Sequence, residues 1–182
     1  MEGATSEYAM NPILQGECDR LCGLYSILNA LVWADPDSYL YRQQLFDSGC
    51  RYLVSKKKLA AVFEEGMSTK LWRKLLRTVL YDHQRLMGYG LEQTTLFSEL
   101  DIEGDGWVRV QKFCASGVPV LLRLKGAYDH FSVVTRVTKG RIELFDSDGQ
   151  QYLQRRVCRL EAGEPSGRFC VHPDSVIALV KG

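Results

Sequence analysis

Residues 130–146 read HFSVVTRVTKGRIELFD, and their reading decides the fold class. From His130 to Thr138 the chain is β-branched or alternating, with Phe131, Val133, Val134 and Val137 as its apolar positions. That is the pattern of a strand with a buried face. Lys139-Gly140 supplies a turn, and Arg141 to Phe145 returns as a second strand with Ile142 and Leu144 on one face. A hairpin of 130–138 and 141–146 brings His130 and Asp146 to the same open end.

Working outward, the β pattern continues toward the C-terminus. Val118 to Leu124 is a short apolar run after Gly117; Asp146 to Gly149 is a second turn; Gln151 to Leu160 predicts a further strand. Segments 168–172 and 175–181 close the chain as two more. Upstream the period is helical. Cys22 to Trp33 carries Leu24, Ile27, Leu28, Leu31 and Val32, apolar nearly all round, and is expected to be buried. Asp35-Pro36 ends it, because proline disfavours helical geometry in the residue before it. Helices are predicted at about 38–53, 56–65 and 69–87, the last with Leu71, Leu75, Leu76, Val79 and Leu86 facing inward and Arg73, Lys74, Arg77 and Asp82 outward. A shorter helix is predicted at 107–116, closed by Gly117. Helices first and an antiparallel sheet second is the α+β pattern. A single domain over 1–182 is expected, helical over about 1–117 and sheet over about 118–182.

Composition bounds the function. The chain has 182 residues, 46% apolar and 25% charged, the profile of a globular domain that needs no staples. A net charge of +1 gives no reason to expect nucleic acid as a partner. Six cysteines invite a disulfide framework, but the length and apolar content argue for buried or reactive thiols instead. No signal peptide and no membrane span are expected, so the expected location is cytoplasmic, with signal-independent export as the alternative.

The residues suited to chemistry fall in two blocks. Gln15-Gly16-Glu17-Cys18-Asp19-Arg20-Leu21-Cys22-Gly23 runs into the first helix. A thiolate at a helix start is stabilised by unpaired N–H groups and the dipole, which favours Cys22 as a nucleophile. The same N–H groups, with an upstream glutamine, can stabilise an oxyanion, and Gly23 is expected to leave room beside the sulfur. Cys18, in the loop, is the rival nucleophile. Of three histidines, His83 is expected on a helix surface and His172 in a loop. His130 is the candidate base because Asp146, one hairpin away, can orient its ring. Asp148 and Asp129 are alternatives for that carboxylate, and 146–149 can also be read simply as a turn.

These residues resemble the papain-like cysteine peptidase clan. The match is nearest to peptidases that process double-glycine leader peptides and their stand-alone relatives: Gln15, Cys22-Gly23, then His130-Phe131-Ser132-Val133-Val134, Gly140 and Asp146. Josephin deubiquitinases are similar in arrangement through Leu21-Cys22, Asn29 and Phe145-Asp146-Ser147. The resemblance implies a nucleophile helix packed on an antiparallel sheet. It also implies a Cys22–His130–Asp146 triad, a Gln15 oxyanion hole, a peptide or protein substrate, and no cofactor. It covers about forty residues, and 35–117 match neither family. The leader peptidases usually have Asp-Pro where this chain has Asp146-Ser147, and no transporter domain is present, so their usual substrate is not carried over.

Other patterns are weaker. Asp101-Ile102-Glu103-Gly104-Asp105-Gly106 mimics the start of an EF-hand, but position 12 is Lys112, so no calcium is expected. No cysteine pair has zinc spacing. Lys56-Lys57-Lys58 is expected to be a solvated face.

Overall fold

The computed structural model of the chain describes residues 11–16, 19–97, 105–160 and 168–182. Among them are five α-helices: α1 (Cys22–Ala34), α2 (Arg42–Ser55), α3 (Leu59–Glu65), α4 (Thr69–Met87) and α5 (Gly106–Ala115). The eight strands are β1 (Leu91–Thr95), β2 (Val120–Gly126), β3 (His130–Val137), β4 (Arg141–Leu144), β5 (Tyr152–Gln154), β6 (Cys158–Leu160), β7 (Phe169–Val171) and β8 (Ile177–Lys181). The fold is mixed α+β.

The strands form one sheet in the order β1-β8-β2-β3-β4-β5. One edge of β2 is shared: Val120 and Leu121 pair with β8, and Leu124 to Gly126 pair with β7. All pairings are antiparallel except β6 with β7.

Helices cover both faces of this sheet. On one side Leu24, Ile27, Leu31, Trp72 and Leu76 pack with Leu121, Phe131, Val133 and Ile177 of the sheet. On the other, Trp107 and Val110 of α5 pack with Val120, Leu122, Val134 and Ile142. The period-two alternation of β2 thus feeds both cores, and each fully buried leucine contributes about 1.5–3 kcal/mol.

Two glycines permit the close helix crossings. A Cβ on Gly49 would lie 2.5 Å from Leu24 Cδ1, so the glycine gives Leu24 its place between α1 and α2. A Cβ on Gly23 would lie 3.0 Å from Trp72 Cδ1 and 3.1 Å from Met67 Sδ. The room expected beside the Cys22 sulfur is therefore used by the α4 side of the core. Trp72 Nε1 also donates to Gly23 O at 3.0 Å, tying α4 to the first turn of α1.

Several expectations need correction. The helix expected from residue 38 begins as a tighter turn, Pro36–Tyr41, before α2. Strand β1 lies within the stretch expected to be helical and borders the sheet beside β8. The single strand expected over 151–160 is two, β5 and β6, separated by a tight turn at Arg155–Val157. Leu86 is exposed and His83 is buried, the reverse of the expected faces at the end of α4. Among the described residues no helix is long and apolar enough to cross a membrane.

Candidate active site

Cys22 opens α1, half-buried and unoxidised. The cap position before it is Leu21, which makes no side-chain hydrogen bond to the helix. Helices α2 and α3 also lack a side-chain cap, and Leu24 N already donates to Leu21 O at 2.7 Å, which leaves the N–H groups of Cys22 and Gly23 at the start of α1. Asp19 instead holds the approach, accepting from Leu21 N at 3.0 Å and Gly16 N at 2.9 Å.

His130 opens β3 and is 3% exposed. Its Nε2 lies 2.8 Å from Asp146 Oδ2, and Asp146 is itself buried. The hairpin produces this contact. Val134 pairs with Leu144, and Phe145 N donates to Val133 O at 2.9 Å, which carries Asp146 back to the start of β3. With Nε2 taken by the carboxylate, Nδ1 is the nitrogen left to face Cys22, whose thiol helps to raise the ring's pKa.

The electrostatics follow from this placement. Burial alone would lower the His130 pKa, but the hydrogen bonds and charges of Asp146 and Cys22 outweigh it and push it up to about 9. Burial likewise pushes the Asp146 carboxyl up, yet the His130 contact wins and holds it below its ordinary value. The buried Ser132 hydroxyl, which makes no full hydrogen bond, and the Asp148 N–H at 2.8 Å assist that hold.

Gln15 arrives from a strap, 11–16, that is neither helix nor strand. Its N–H donates to Ser147 O at 2.9 Å, and its Oε1 accepts from Ser147 Oγ at 3.3 Å. The four residues Cys22, His130, Asp146 and Gln15 are thus gathered around one turn.

The alternatives are otherwise engaged. Asp148 accepts a hydrogen bond from the Tyr128 hydroxyl. Asp129 forms a two-pronged ion pair with Arg123, both contacts at 2.8 Å. His172 caps a short turn and pairs with Asp174 at 2.6 Å. Cys18 lies outside the described residues, as do Asp101 to Gly104; Asp105 caps α5 and pairs with Arg155. Among the described residues no acidic, His or Cys cluster could hold a metal ion.

Sequence reading missed two members of this surround. Tyr128 stacks on the His130 ring, centroids 4.7 Å apart and planes 24° from parallel. It lies two residues before His130 in an extended segment, a spacing that puts both side chains on one side. Ser147 enters the sequence reading as part of a turn and of Phe145-Asp146-Ser147, without a partner assigned to its side chain. In fact 146–148 assign three successive side chains to three neighbours: Asp146 to His130, Ser147 to Gln15, and Asp148 to the Tyr128 that covers His130. No family model, curated protein or solved structure matches the chain.

Proposed function

We propose that the chain is a cysteine hydrolase of papain-like architecture, acting on a peptide or isopeptide bond. Cys22 is the nucleophile, His130 the base, Asp146 the residue that orients it, and Gln15 with the first N–H groups of α1 the oxyanion hole. The observation that carries this reading is His130 held between Asp146 and Cys22 with its pKa raised to about 9. A ring so placed can exchange a proton with the neighbouring thiol and pass one on to a leaving amine.

The steps follow from the atoms present. The Cys22 sulfur attacks the acyl carbon, and the carbonyl oxygen becomes an oxyanion facing the uncapped start of α1. His130 Nδ1 gives its proton to the departing amine, leaving a thioester. It then takes a proton from water as that water attacks the thioester, and the acid is released. Asp146 keeps the ring in one orientation throughout and remains ionised. The partner is a protein or peptide offering an extended segment to the half-buried thiol.

The test is covalent labelling of native protein with peptide acyloxymethyl ketones, read by mass spectrometry. Labelling at Cys22 that disappears in His130→Ala is expected. Labelling that appears only after unfolding would refute the enzyme and indicate a binding module of the same architecture.

A further inference from the structure

We infer that Ser147 is a positioning residue that holds the Gln15 amide at the oxyanion, on a strap that Asn29 anchors. The inference rests on the hydrolase reading above. Residues 11–16 have no ladder or helix of their own, so the strap is held by individual contacts, one of them the backbone bond from Gln15 N to Ser147 O.

Asn29 provides the first anchor. It is 0% exposed in an otherwise apolar helix, seven residues after Cys22 and so on the same face of α1. A buried amide is costly unless both ends are satisfied. Both ends are spent on the backbone of a single residue: Oδ1 accepts from Ile13 N at 2.7 Å, and Nδ2 donates to Ile13 O at 3.2 Å. The strap is thereby fixed two residues before Gln15.

Ser147 provides the second. Its carbonyl takes the Gln15 N–H, and its hydroxyl donates to Gln15 Oε1. A glutamine amide has one accepting end and one donating end. The hydroxyl contact fixes the amide in place and leaves its Nε2 hydrogens for a developing anion. Ser147 also follows Asp146 directly and is 2% exposed, so the oxyanion arm and the triad share one rigid turn.

Two reagents separate this inference from the reading beneath it. With iodoacetamide the Cys22 sulfur displaces iodide and forms a thioether, with no oxyanion. With p-nitrophenyl acetate the sulfur attacks the ester carbonyl, p-nitrophenolate leaves and an acetyl thioester forms, through an oxyanion. In wild type, alkylation that depends on His130 supports the hydrolase reading, and alkylation indifferent to His130→Ala removes that reading and the inference with it. In Gln15→Ala, acylation is expected to fall about 10²–10³-fold with alkylation unchanged, the effect of losing one oxyanion donor. In Ser147→Ala, acylation is expected to fall about tenfold, part of that donor's worth, again at unchanged alkylation. Ser147→Thr, which keeps the hydroxyl, restores it. In a Gln15→Ala background Ser147→Ala costs nothing more, since the two act as a unit. Acylation by Ser147→Ala equal to wild type, an equal loss in both backgrounds, or a matching loss of alkylation each overturns the proposal.

Discussion

Two buried histidines, His130 and His83, occupy opposite ends of the molecule's chemistry. His130 is 3% exposed and His83 is 0% exposed, so burial alone does not separate them. Each places Nε2 2.8 Å from a side-chain oxygen. For His83 that oxygen is the hydroxyl of Ser38, between α4 and the turn after α1, with Tyr89 edge-on to the ring. Its Nδ1 meets no partner. Asp35 lies near enough to raise its pKa, but burial dominates and lowers it. For His130 the oxygen belongs to a carboxylate, and Asp146 together with Cys22 outweighs burial, so the net shift is upward. A Ser, a His and an Asp therefore sit close together around His83 without forming a site. The hydroxyl is sealed in the core, and the carboxylate is engaged by the Tyr89 hydroxyl rather than by the ring. Direct carboxylate contact and an accessible nucleophile make the difference, not the residue types.

The largest expected effect breaks one half of this comparison. His130→Ala should slow acylation of Cys22 by about a thousandfold or more, as loss of a triad base does. His83→Gln, checked as folded by circular dichroism, should leave it unchanged. A comparable loss in both variants would put the two histidines in one functional class.

The second prediction sharpens the electrostatics. An NMR titration of the imidazole protons should place His130 at about 9 and His83 below 6.5. The stability consequences have opposite signs. The raised His130 pKa contributes stability that is fully present below about 6.5 and is lost as pH rises through about 9. The lowered His83 pKa contributes stability that is present above about 6.5 and lost as pH falls below it, because the unfolded chain then binds the proton more readily. Urea unfolding across pH should lose the alkaline slope in Asp146→Asn and the acid slope in His83→Gln. Retention of the alkaline slope in Asp146→Asn would mean that another group titrates there.

The smallest effect is purely structural. Ser38→Ala leaves the buried His83 Nε2 unpaired and should cost about 1–3 kcal/mol in thermal or chemical unfolding. Cys22 reactivity should not change. A drop in alkylation would show that the His83 cluster is coupled to the site through α1.

Local patterning went far where one element carries its own signal. The apolar circumference of α1, the helical stripe of α4 and the hairpin around Lys139-Gly140 were legible because helix and strand periods are properties of neighbouring residues. The placement of the candidate residues was legible to the same extent: a cysteine at a helix start, and a histidine and an aspartate at one end of a hairpin. Strand β1 was not, since LEQTT shows no apolar alternation and is held by its pairing with β8. β6 was not separable from β5, because its partner is β7, in parallel. His83 misled by its type. Its spacing continues the stripe of Trp72, Leu76, Val79 and Leu80, and position rather than polarity settled its burial.

Residue order therefore specified most of the local elements and that Cys22, His130 and Asp146 stand at or beside their ends. It did not specify the company those groups keep. That Tyr128 covers His130, that Asp148 serves Tyr128, that Ser147 holds Gln15 and that Asn29 holds Ile13 are outcomes of contacts across as many as 132 positions of chain. Such contacts have no periodic trace, because a hydrogen bond between distant side chains constrains only the two residues that make it.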